Sequence, residues 1–126
     1  MSHSLHHVAL GARDVERVAG FYRDLLGVPE ERRHVLADGS LRSIWLRLGD
    51  ALLMIEQTLE EPRHVDGIGS GPFLLALRVS PAERGQLESA LQRAGFVIEA
   101  RSEFTSYTRD PEGNRVAFSH YPEQLA

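Results

Sequence analysis

The sequence contains no cysteine. Disulfides, thiol nucleophiles and Cys-ligated zinc are therefore excluded. No apolar run approaches the ~18 to 20 residues that a membrane span needs. The opening stretch, MSHSLHHVAL, has neither the basic start nor the apolar core of a signal peptide. Cytoplasm is the expected location, with no membrane partner. A basic stripe is missing too. Lys and Arg number 14 against 18 Asp and Glu, for a net charge of −4, so nucleic acid is not an expected partner. Aromatic residues make up only 7% of the chain, which argues against an aromatic-rich groove.

What is present is ordinary globular composition: 126 residues, 42% hydrophobic and 25% charged. That length favours one domain, residues 1–126, able to bury about two-thirds of its unfolded surface without staples.

LHHVALGA reads as a strand, followed by Asp14 as a helix cap. Val15, Val18, Ala19, Tyr22, Leu25 and Leu26 recur at helical spacing, Gly27 sits at the helix end, and Pro29 follows. Phe21 and Tyr22 are expected to pack in the core. Strands are expected near 33–37, 42–48 and 51–57, the last two joined by a hairpin at Gly49-Asp50. Residues 58–71, TLEEPRHVDGIGSG, lose periodicity and read as a linker. The glycine-rich DGIGSG opens no helix and is not a phosphate-binding loop.

The order then repeats. FLLALRV is a strand. SPAE starts a helix, with Ser80 as N-cap, Pro81 at the first position and Glu83 closing a capping box. Its apolar face carries Leu87, Ala90, Leu91 and Ala94, and Gly95 ends it. Strands follow near 96–100, 104–109 and 115–120, with DPEGN as the last turn. The expected architecture is α+β, with a module at about 5–57 and a second at about 72–121, each of order βαβββ. The matching order marks an internal repeat.

Three stretches carry a resemblance: HHVALGARDVERVAGFYRDLLGV, LRLGDALLMIEQ and TRDPEGNRVAFSHY. With the duplicated order, the chain resembles the vicinal oxygen chelate superfamily, which includes glyoxalase I, bleomycin-resistance and fosfomycin-resistance proteins and extradiol dioxygenases. The resemblance implies two tandem modules whose curved mixed sheets surround a cavity, with helices on the outer side, and often a homodimer. A shared fold does not assign function.

Metal-dependent members of that superfamily draw one ligand from the start of each module's first strand and one from its last strand. Carried onto this chain, those positions are His7, Leu53, Leu74 and Ala117. Only His7 has a donor, so no metal cofactor is expected. His6, of opposite parity, is expected on the helix side or the surface. Glu56 and His120 are proper ligand types, but three residues past their assigned slots they are expected on the opposite face. A bulge would be needed to make a site of His7, Glu56 and His120. His3, His34 and His64 read as solvated surface.

Strand parity places Ala9 beside His7, and Ile55, Leu46 and Ile44 beside Leu53. In the second half it places Ala76 and Arg78 beside Leu74, and Ser119 beside Ala117. Arg78 at a cavity rim suits a carboxylate or phosphate. The faces of Trp45 and Tyr107 depend on turn length and stay open. No nucleophile elbow is present.

The expected ligand-binding residues are thus His7, Leu53, Leu74, Arg78, Ala117 and Ser119, with His7 as the candidate catalytic group. Two functions follow. One is metal-free binding of a small organic molecule, as in the bleomycin-resistance proteins. The other is an enzyme (isomerase, lyase or dioxygenase) that uses displaced metal ligands or His7 as general base. A third reading is assembly, with the cavity filled by side chains.

Overall fold

Asp14 starts the first helix as expected, its carboxylate accepting the Arg17 N–H at 3.1 Å. The computed structural model describes residues 2–124, and the chain divides into two compact units, Met1–Pro62 and Arg63–Ala126. Among the described residues no helix is long and apolar enough to cross a membrane.

The first unit runs β1 (His7–Ala12), α1 (Val15–Gly20), β2 (Glu30–Val35), β3 (Leu41–Leu48) and β4 (Ala51–Gln57). A π-helical turn, Phe21–Leu25, continues α1, and Gly27 follows at φ 73°. The sheet order is β1-β4-β3-β2, with β1 parallel to β4 and the other pairs antiparallel. β2 begins earlier than the sequence suggested, because Glu30 pairs with Leu46 in the β3 ladder and the Arg47 N–H donates to the Pro29 carbonyl at 2.8 Å.

Register fixes the faces. Val8 pairs with Leu53, Leu10 with Ile55, Ile44 with Ile55 and Leu46 with Leu53. These form the helix-side core with Val18, Ala19 and Tyr22, and Leu53, Ile55, Ile44 and Leu46 are fully buried. The other face, here the open face, carries His7, Ala9 and Gly11 on β1, all exposed. Beside them stand Leu52, Met54 and Glu56 on β4, then Ser43, Trp45 and Arg47 on β3.

The second unit runs β5 (Leu75–Arg78), α2 (Pro81–Arg93), β6 (Ala100–Arg101), β7 (Thr105–Arg109) and β8 (Arg115–Ser119), in the order β5-β8-β7-β6. The capping box at Ser80 and Glu83 is present in both directions. The strand expected at 96–100 shrinks to Ala100–Arg101. The preceding backbone turns off the helix instead, with the Phe96 N–H donating to the Leu91 carbonyl at 2.9 Å. In DPEGN, the buried Asp110 carboxylate accepts from the Glu112 and Asn114 N–H groups, each at 3.0 Å.

Candidate functional site

The repeat can be aligned through its ladders. Ala9 pairs with Met54 in the first unit, and Ala76 pairs with Ala117 in the second. Met54, and not Leu53, is therefore the counterpart of Ala117. This corrects the face expected for Leu53: it lies on the helix side, with Ile44, Leu46 and Ile55, away from His7. The correction also moves Glu56. Two residues beyond Met54, it shares the open face with His7 instead of opposing it.

His120 stays on the helix side. Its Nε2 lies 3.1 Å from Arg84 Nη1 and its Nδ1 lies 2.6 Å from the Glu123 carbonyl. Arg84 can only donate and a carbonyl can only accept, so the imidazole carries its proton on Nδ1 and has no nitrogen left for a metal. His7 and Glu56 are four positions apart in register, about 13 Å along the strand. The displaced set His7, Glu56 and His120 therefore does not converge. Among the described residues no three His, Asp or Glu side chains form a metal-binding group. The four repeat-related positions hold an imidazole, a thioether and two hydrocarbons: His7, Met54, Leu74 and Ala117. That set does not fit a divalent ion with catalytic coordination.

His7 is exposed at the start of β1, its Nδ1 2.9 Å from His6 Nδ1, with the two rings edge to face. Leu74, Ala76 and Arg78 follow one alternation, and Arg78 is exposed at the strand end. Ala117 is fully buried, and Ser119 accepts the Thr105 hydroxyl at 2.8 Å. So the second unit brings Leu74, Arg78, Ala117 and Ser119 to its own open face, and His7 occupies that of the first. Tyr107 faces the same way as Ala117, under the Arg115 guanidinium at 5.0 Å.

Sequence reasoning missed a cluster in the first unit. Ser43 pairs with Glu56 on one side and with His34 on the other, forming one row on the open face. Trp45, in the next row, is diagonal to both. His34 is not solvated surface: it is half-buried, its ring 4.6 Å from the Trp45 ring. His34 Nε2, Trp45 Nε1 and Glu56 Oε2 are all buried without a hydrogen-bond partner. Each such atom costs on the order of 1–3 kcal/mol, so three on one face call for an explanation. Beside Glu56 opens a pocket of about 280 Å³.

The second unit's helix side is polar but satisfied. Arg84 donates to Ser106 Oγ and to the Ser102 and Glu103 carbonyls, each at 2.8 Å. Ser106 in turn donates to Glu88. Burial pushes the Glu88 carboxyl up, but hydrogen bonds from Arg101 and Ser106 outweigh it and hold the group below the usual carboxylate range. This network joins helix to sheet and needs no ligand.

A sequence model described as the Glyoxalase/Bleomycin resistance protein/Dioxygenase superfamily matches residues 4–118. No curated protein matches the chain. Among solved structures, a glyoxalase/dioxygenase from Nostoc punctiforme is similar with a TM-score of 0.80 and 19% identity, over 95% of this chain and 92% of that one. A mutant of a genomically encoded fosfomycin resistance protein from Listeria monocytogenes, complexed with Mn(II) and a dihydroxypropylphosphonic acid, has a TM-score of 0.78 and 13% identity. The match covers 95% of this chain and 94% of that one. Lactoylglutathione lyase from Agrobacterium tumefaciens has a TM-score of 0.66 and 20% identity, over 92% of both chains. At these identities the likeness is one of fold.

Proposed function

The chain belongs to the Glyoxalase/Bleomycin resistance protein/Dioxygenase superfamily, and we propose that within it this protein binds a small organic molecule on the open face of its first sheet without a metal ion. One observation carries the reading: His34, Trp45 and Glu56 lie on that face on three successive strands, each with a buried polar atom that has no partner. A binding surface tolerates such atoms because a ligand or its water completes them. The apolar Leu52 and Met54 beside them suit a mixed, amphiphilic molecule. The side chains at the metal positions favour the same conclusion. We place the protein in the cytoplasm, as a homodimer.

Trp45 is the sole tryptophan of the chain and so reports on this face directly. The test is a thermal-shift screen of small molecules in the presence of a chelator, with each hit followed by Trp45 emission. Hits that raise the melting temperature and alter the emission support the reading. Hits that act only when a metal is supplied, or that leave Trp45 untouched, oppose it.

A second reading has one observation in its favour. His6 engages His7 Nδ1, which directs His7 Nε2 outward as a general base. His7→Ala then abolishes turnover of a carbonyl substrate; unchanged turnover removes this reading.

A further inference from the structure

We propose that the pocket at the end of the first sheet takes a small aliphatic amine, with its ammonium group seated on the Glu56 carboxylate. The inference rests on the metal-free binding reading and names the ligand class at one end of the same face.

Glu56 is half-buried, and its Oε2 is buried without a hydrogen-bond partner. The sheet around it supplies no cation. Its register partners are Ser43 on β3 and Gly11 on β1. On the diagonals stand Leu41 and Trp45 of β3 and Ala9 of β1. Arg13, two residues beyond Gly11, pairs with Glu61 at 2.5 Å, and Arg47 of the same face pairs with Glu31. Arg32 stands across Trp45 on the edge strand, exposed to solvent. A carboxylate shielded from water without a counter-charge is costly, and a bound cation removes that cost. Ser43 and Gly11 are small, which leaves the carboxylate approachable from the open face.

The pocket beside it, about 280 Å³, sets the rest of the ligand. Leu36, Leu41 and Leu59 line it. Leu36 is 48% exposed and Leu59 is 85% exposed, so a hydrocarbon tail has apolar surface to cover. Leu41 lies two residues before Ser43 and so shares the face of Glu56. The volume, near the lower end of ligand sites at roughly 300–1,000 Å³, suits a short tail. Arg42 also lines the pocket, but alternation sends its side chain to the opposite face of the sheet. It is exposed there, so water and salt screen its charge, whereas Glu56 Oε2 is shielded.

These features rank the ligands. A carboxylate is repelled by Glu56. A neutral molecule of the same shape covers the leucines but leaves Glu56 without a counter-charge. An alkylammonium does both, with three donors for the carboxylate and a tail for the leucines. A calcium ion takes about six to eight oxygen ligands, and among the described residues no three His, Asp or Glu side chains converge to start such a set.

The rim is preorganised. The Asp38 carboxylate accepts the Ser40 N–H at 2.9 Å and its hydroxyl at 2.6 Å. The Leu36 N–H donates to the Ser40 carbonyl at 2.8 Å, and Gly39 makes the turn at φ 87°. Leu36 and Leu41 are thus held on either side of a fixed turn, which lowers the ordering cost of binding.

The experiment is an NMR titration of the full chain, with chelator, using isoamylamine, isoamyl alcohol and isovalerate. These probes share one branched skeleton and carry a cation, no charge, or an anion. The amine is expected to bind at least about tenfold tighter than either analogue. Glu56→Gln keeps the shape and removes the charge; it is expected to weaken the amine about tenfold and to leave the alcohol within about twofold. Arg42→Gln leaves the amine at least as tight. Should Glu56→Gln not fold, the ranking of the three probes on the wild type decides alone. No amine binding at millimolar concentration, equal affinity for the three probes, tightest binding of the anion, or an amine indifferent to Glu56→Gln overturns the proposal. The two levels fail separately. If screen hits perturb Trp45 while the amine does not bind, only the ammonium site is wrong. If no molecule perturbs Trp45, the broader reading fails as well.

Discussion

Met54 and Ala117 occupy the same place in the two modules: each stands on the open face of its module's last strand, in register with an alanine of the first strand. Leu53, one residue away, is buried to zero exposure on the helix side, whereas Met54 keeps 8%. The contrast gives a direct test of face. Leu53→Glu places an unpaired charge in the core and is expected to cost more than about 4 kcal/mol, enough to unfold a marginal domain. Met54→Glu, with the open face before it, is expected to cost about 2 kcal/mol or less. Urea denaturation of the two variants measures both; equal losses would reverse the face assignment.

Arg84 is the keystone of the second module's polar interior. Its side chain is 12% exposed and serves Ser106, His120 and the loop carbonyls of residues 102, 103 and 105. Arg84→Met strands those acceptors and leaves Glu88 short of a cation, at an expected cost of about 3–5 kcal/mol. Arg84→Lys recovers only part, because an ammonium cannot reproduce the planar fork. Denaturant midpoints rank the three proteins.

Stability also falls in acid. Arg33 and Arg23 hold the Glu30 carboxyl below its usual value near 4.5, and Glu88 is held low by Arg101 and Ser106 against the pull of burial. A carboxyl whose folded value lies below its unfolded one binds more protons in the unfolded chain. Its contribution is therefore complete above about 4.5 and is lost as pH falls through the lower folded value. Melting temperature across this range is expected to drop more steeply for the wild type than for Glu30→Gln.

Ser80→Ala removes the hydroxyl that accepts the Glu83 N–H at 3.1 Å. The expected loss is about 1 kcal/mol, read from thermal denaturation, with no change in ligand binding.

This cap was legible in the sequence because SPAE carries its own chemistry within four adjacent residues. The repeat order was legible for the same local reason: caps, turn glycines and short apolar runs recur. β4 was not. Leu52, Leu53, Met54 and Ile55 are all buried, so ALLMIEQ shows no alternation and its parity cannot be read. That single ambiguity displaced Leu53 and hid Glu56. The His34, Trp45 and Glu56 cluster depends on which strands become neighbours, and His34 sits beyond a β2 irregularity that local pattern does not reveal.

Metal content is the most direct test of metal-free binding. Protein purified without an affinity tag is equilibrated with zinc, nickel, manganese or iron(II), desalted, and measured by mass spectrometry. Metal-free binding predicts far less than one ion per chain in every case, with screen hits still bound. About one ion per chain, lost in His7→Ala, would contradict it and restore the chelate chemistry of the superfamily to this protein.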